Sequence, residues 1–161
     1  MKKLMSLGLV MLSLSASATA ADKNLDLTLP ASARLPSAAI STRDNGVVKR
    51  FIPSNVLSRS AKTHAWCIDF HALPAKERNA VKLVIRSPGK LDVNLHDATI
   101  EKSADGSINK LMFNVNKSEI INGYYEICWQ SNSFDEPLGT YHIDAYFNEL
   151  IFEGLYLKLV K

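Results

Sequence analysis

Two cysteines in mirrored triplets constrain this chain more than any other feature. Trp66-Cys67-Ile68 and Ile127-Cys128-Trp129 are the same three residues read in opposite directions. If two strands lie antiparallel with Cys67 opposite Cys128, then Trp66 faces Trp129, Ile68 faces Ile127, Phe70 faces Tyr125 and His71 faces Tyr124. Every large apolar residue in the pair then meets an apolar or aromatic partner, which is what stabilises neighbouring strands. The spacing thus predicts one disulfide, Cys67 to Cys128, between adjacent strands. A bridge closing a loop of about 60 residues is worth roughly 4 kcal/mol in the chain-entropy picture. No Cys-x-x-Cys spacing accompanies it to tune a reactive thiol, so its expected role is a structural staple.

Strand side chains alternate between faces. Trp66, Ile68 and Phe70 therefore share a face with Tyr125, Ile127 and Trp129, while Cys67, Asp69, Glu126, Cys128 and Gln130 lie on the other. This puts the disulfide on the more polar face, unlike the bridge that crosses the core of an antibody domain. The register has one cost. Asp69 falls opposite Glu126, and facing like charges destabilise a sheet pair, so either the register is wrong or the position calls for a cation. With His71 two residues along, Asp69, His71 and Glu126 form the acid, base or metal-ligating constellation that can be built here. The competing expectation is a solvated face on which the charges splay into water.

The rest of the chain reads as β-structure. Leu25, Leu27 and Leu29 alternate with polar residues in a short strand over 24–29 that ends at Pro30. The stretch Pro36 to Asn45 reads as linker or loop, and Gly46 to Ile52 as a short extended piece. Strands are expected at His64 to Ala72, Asn79 to Arg86, Leu91 to Leu95, Ile108 to Val115 and Tyr124 to Gln130, then at Tyr141 to Phe147 and Leu150 to Val160. Turn residues bound these runs, with Ala104-Asp105-Gly106 and Asn122-Gly123 as hairpin turns. The predicted fold is an all-β antiparallel β-sandwich, immunoglobulin-like in general architecture, with one disulfide and little helix. The expected domain division is a signal peptide over 1–20, an extended amino-terminal segment over 21–64 and the sandwich over 65–161.

The amino terminus bears on location. Lys2-Lys3, an apolar run from Leu4 to Leu14 and Ala18-Thr19-Ala20 are the three parts of a secretory signal peptide, with cleavage expected after Ala20. The expected location is the periplasm or the medium of a bacterium. No later segment approaches the roughly 20 apolar residues of a transmembrane helix. Removal of Lys2 and Lys3 takes the chain from 19 basic residues to 17, against 16 acidic ones. No run of five or more Lys/Arg marks a nucleic-acid surface.

The closing stretch Pro137-Leu138-Gly139-Thr140-Tyr141, followed by Tyr146 and Asn148, resembles the last hairpin of many bacterial immunoglobulin-like sandwiches. In those a Gly-x-Tyr enters a strand that ends near an Asn-Gly turn; here Glu149 stands where the turn glycine would be. The resemblance implies a sandwich architecture, which by itself carries no function.

Catalytic signatures are missing from the sequence. There is no Gly-x-Ser-x-Gly elbow, His-Glu-x-x-His or phosphate-binding glycine loop. The expected function is that of an exported binding protein, without cofactor, whose partner is another exported or envelope protein. Two segments are candidates for the contact: the strand of Leu25, Leu27 and Leu29, which could complete a neighbour's sheet, and the loop carrying Phe134, Asp135 and Glu136. The alternatives are a metal-dependent or hydrolytic enzyme using Asp69, His71 and Glu126, and an inhibitor presenting that loop to an exported enzyme. The tryptophan pair is expected to pack, although an exposed pair could also grip a sugar ring.

Overall fold

The computed structural model describes residues 34–44, 50–52, 54–61, 63–130 and 136–161. The signal segment, the Leu25–Leu29 strand, and Phe134 and Asp135 lie outside them. Ten strands follow one another: β1 (Ser37–Asp44), β2 (Arg50–Ile52), β3 (Val56–Ser58), β4 (His64–His71), β5 (Arg78–Arg86), β6 (Thr99–Lys102), β7 (Ile108–Asn116), β8 (Tyr125–Gln130), β9 (Gly139–Phe147) and β10 (Leu150–Val160). One 3₁₀ turn, Lys117–Glu119, is the only helical piece among the described residues. They form two sheets, in the orders β2-β1-β4-β8 and β3-β10-β9-β5-β7-β6.

The mirrored triplets pair as their sequence requires. Trp66 lies opposite Trp129, Cys67 opposite Cys128, Ile68 opposite Ile127, Asp69 opposite Glu126 and Phe70 opposite Tyr125, and the disulfide joins β4 to β8. The inner faces of both sheets then supply one core. Trp66, Ile68, Phe70 and Ile127 come from the smaller sheet, and Leu83, Ile85, Leu111, Ile143, Phe147, Leu157 and Leu159 from the larger. Phe70 sits at its centre, with ring contacts to Tyr125, Phe147 and Phe152 at 6.2, 6.1 and 5.6 Å.

The stretch expected to be linker is a strand. β1 pairs along its whole length with β4 and lies between β2 and β4, so the sandwich starts at Ser37 and not at residue 65. The extended amino-terminal segment is corrected accordingly for β1, β2 and β3. Small side chains hid this strand. Ala38 and Thr42 stand opposite Phe70 and Trp66, where a large residue would collide with the ring beside it, so β1 lacks the bulky alternation that marks a strand by sequence. Its polar groups find partners locally: Thr42 is buried and donates to the Ser54 carbonyl at 3.0 Å.

Other differences are smaller. Leu91 and Val93 are buried as their alternation implies, but the 91–95 stretch joins no sheet ladder. The edge strands β6 and β3 were too short to announce themselves, and β3 runs parallel to β10, whereas the other strand pairs among the described residues are antiparallel. The turns follow their residues. Asn122 and Gly123 both take positive φ, 52° and 76°, as a two-residue hairpin turn demands. A bulge between Phe152 and Leu155 is accommodated by Gly154 at φ 73°.

Asn79 ties one corner together. It is fully buried, accepts from the Lys76 backbone N–H and the Asn148 side chain, and donates to the carbonyls of Lys76 and Val115. At the opposite end the Tyr141 hydroxyl donates to the Pro137 carbonyl at 2.7 Å. This bond locks the entry into β9, much as the tyrosine corner does in immunoglobulin folds.

Candidate functional site

The outer face of the smaller sheet carries the disulfide and the two opposed carboxylates, and the chain supplies the cation they call for. Arg43 Nη2 lies 2.5 Å from Asp69 Oδ1 and 2.9 Å from Glu126 Oε2. It stands opposite Ala65, whereas Asp69 is four positions further along the same strand. To reach the acids, the Arg43 side chain has to run back past the Ser41 and Cys67 row. It bonds Ser41 Oγ on the way, at 2.7 Å. Ser41 and Cys67 are buried beneath this outer layer, at 2% and 0% exposure.

Tyr124 completes the network. Its hydroxyl accepts from Arg43 Nη2 at 2.9 Å and lies 2.7 Å from Asp69 Oδ1 and 2.8 Å from Glu126 Oε2. The single phenolic proton can serve only one carboxylate at a time. Burial, followed by those two acids, raises the Tyr124 pKa and keeps the phenol neutral. Burial opposes the charge on Arg43, but Asp69, Glu126 and Tyr124 outweigh it, and the guanidinium is held above its ordinary range.

The Asp69, His71 and Glu126 constellation is thus only partly assembled. The two carboxylates meet through Arg43, while His71 packs its ring on Tyr124 with centroids 5.3 Å apart. A metal ion taking both carboxylates would have to displace Arg43. Among the described residues, the group of three close enough to share an ion is Cys67, Glu126 and Cys128, and both sulfurs are committed to the disulfide. The register holds and the cation is Arg43, which the sequence does not point to because the strand that carries it reads as linker.

A different concavity opens at one end of the sandwich. Trp66 and Trp129 stack at 4.4 Å with 21° between their planes. Beneath them Ile85, Tyr141, Leu157 and Leu159 of the larger sheet, with Leu91 and Val93 at the side, enclose a cleft of about 260 Å³. These six side chains and Trp66 are all buried, while Asp92, Asn94 and Glu136 stand at the mouth. Most of the rim's polar groups are engaged. Lys102 pairs with Asp92 at 2.5 Å and holds its carboxyl below the usual range, and Arg59 donates to the Glu136 carbonyl at 3.1 Å. The Trp129 Nε1–H is buried without an acceptor among the described residues.

A sealed apolar void of this size would cost about 6 kcal/mol, at ~24 cal/mol per Å³. The two tryptophans roof space that the core leaves unfilled. Of the expected contact loop, Glu136 reaches this rim. The expectation of a tryptophan pair was available from the mirrored triplets. The cleft was not, since its lining is drawn from stretches scattered between Trp66 and Leu159.

Two sheets face to face, one inter-strand disulfide on the outer surface and a single core define a disulfide-stapled β-sandwich domain. The chain belongs to the family described as the PM0630 beta sandwich domain, matched over residues 36–160, which begins one residue before β1. It is similar to the Pasteurella multocida (strain Pm70) protein called Uncharacterized protein PM0630, with 30% identity over 166 residues spanning 100% of both chains. No solved structure matches the chain. Among the described residues, no helix is long and apolar enough to cross a membrane.

Proposed function

We propose that this protein is an exported binding protein of the bacterial envelope that recognises another exported protein, and that the cleft under Trp66 and Trp129 seats an apolar group of that partner. The observation that carries the reading is the contrast between its two concentrations of chemistry. The carboxylates of the outer face are tied into an internal ion network around Arg43, whereas the cleft has an apolar interior and an open polar mouth. Buried anchors inserted into such pockets dominate many protein interfaces. The signal-like amino terminus and the disulfide support an oxidising compartment.

Site-specific photocrosslinking in cells tests this. A benzophenone side chain at Asn94, at the cleft mouth, is expected to yield a discrete protein adduct. The same group at His142, on the far face of the larger sheet, is expected to yield none. Equal labelling from both positions, or none from either, counts against the reading. Fractionation with mass measurement of the amino terminus tests export, with Ala21 as the expected first residue.

A further inference from the structure

We infer that the segment of Leu25, Leu27 and Leu29 completes this chain's own smaller sheet, adding antiparallel to the open edge of β8. This holds whatever the cleft seats. A sheet edge is a row of backbone donors and acceptors that folds keep short, charged or covered. The edge strands β2 and β3 have three residues each, and β6 has four with Glu101 and Lys102 among them, whereas β8 has six. The Cα atoms of Cys67 and Cys128 lie 4.1 Å apart, the close spacing of a non-hydrogen-bonded pair. Their backbone groups therefore point away from each other, and by alternation the N–H and C=O of both Glu126 and Cys128 face the open side. No backbone group among the described residues pairs with them there.

The larger sheet leaves room for another strand. β1 packs on β10, and Phe70 of β4 on Phe147 of β9, which sets β8 over β5 and leaves β7 and β6 reaching past it. On the inner side of those two strands Phe113 and Ile100 are only partly buried. A strand beside β8 lies above them, leucines inward and Asn24, Asp26 and Thr28 outward. The chain also arrives at the right place. Arg34 shares a shallow hollow with Ala72, Leu73, Asn122 and Gly123, at the start of β8. At about 3.3 Å per residue, the stretch from Arg34 back to Asn24 spans about 33 Å and that from Gly123 to Gln130 about 23 Å. One chain can therefore cover its own edge, running opposite to β8.

Three alignments set at least two leucines against the inward residues of β8. One places Asp26 against Glu126, like charges face to face. Another places Pro30, which has no N–H, against Glu126, where the ladder needs a donor. The third sets Leu29 opposite Tyr125, Leu27 opposite Ile127 and Leu25 opposite Trp129, with Thr28 bonding Glu126 and Asp26 bonding Cys128. It also stops where the free edge stops. Pro30 falls beside Tyr124, whose N–H and C=O are already bonded to Ile121.

NMR on the chain from Ala21 tests this. The Glu126 and Cys128 amides should exchange roughly a hundredfold slower than in an unstructured chain, and the Hα atoms of Leu27 and Ile127 should give a strong NOE. Leu27→Asp should abolish the protection of Glu126 and Cys128 and leave that of Tyr125 and Ile127, which bond to β4. In an equal mixture of ¹³C-labelled and unlabelled chains, the NOE should arise within the labelled chain. Free exchange at Glu126 and Cys128 in the unaltered protein, an NOE from Ile127 Hα to a different segment, or protection that survives Leu27→Asp overturns the inference. An NOE found only between labelled and unlabelled chains also overturns it, by placing the strand on a second copy.

Discussion

Replacing Arg43 with methionine tests the idea that this side chain holds the outer face together. Methionine keeps an unbranched apolar stem over the Ser41 and Cys67 row and removes the charge together with the hydrogen bonds donated to Ser41 and Tyr124. Asp69 is then left at 4% side-chain exposure beside Glu126. Removing one partner from a buried ion pair costs about 3–5 kcal/mol, because the other charge stays buried and uncompensated. Glu126 is 43% exposed and can turn to water, so its share is small. At about 4 °C per kcal/mol for a domain of this size, the melting temperature should fall by roughly 12–20 °C. Urea unfolding should show the same loss as a lower midpoint at unchanged slope. The double variant Arg43→Met, Asp69→Asn removes the stranded charge and should recover at least 2 kcal/mol of the loss, roughly half the cost of the single variant. A loss below 1 kcal/mol for Arg43→Met, or no recovery on adding Asp69→Asn, would refute the reasoning.

Three further outcomes are expected. Reducing the disulfide, or replacing both Cys67 and Cys128 with alanine, should cost about 4 kcal/mol by calorimetry, from the 61-residue separation of the bridge. Asn79→Ala strands two carbonyls, a backbone N–H and the Asn148 side chain in a buried corner; urea denaturation should show a loss of about 3 kcal/mol. Ser103, then the backbone and hydroxyl of Ser107, hold the Asp105 pKa down from 3.8 to about 2. A depressed carboxyl contributes fully above its unfolded value and loses its contribution as pH falls through the folded one. NMR titration should therefore show the β6–β7 turn loosening as pH falls from about 4 to 2, with the Asp105→Asn variant insensitive over that range.

The mirrored triplets made the β4–β8 register legible because disulfide geometry and pleat parity leave few ways to lay Cys67 against Cys128. The strands with bulky alternation, β5, β9 and β10, were legible for the usual reason that one face is buried. β1 was not. Two of its inward side chains, Ala38 and Thr42, are small because they lie beside Phe70 and Trp66, leaving Ile40 as the bulky one, and that fact belongs to the neighbouring strand. Missing β1 also hid Arg43, so the opposed acids read as a candidate metal or catalytic site lacking its cation. The cleft was illegible for a related reason. Val93, Trp129 and Leu159 meet only once the two sheets are stacked, and no local pattern encodes how fully their ends are packed.

The position of β3 bears on how the chain assembles. It is a sheet edge held in register by β10 alone, Val56 against Lys158 and Ser58 against Val160, with the Ser58 hydroxyl donating to the Lys161 carbonyl at 2.8 Å. A chain made amino end first cannot close this seam until Lys158 to Val160 have emerged. Such distant pairings are slow to find, because the whole intervening length must be ordered first. The delay leaves an interval in which the polypeptide is still open along this edge and the larger sheet lacks its closing strand.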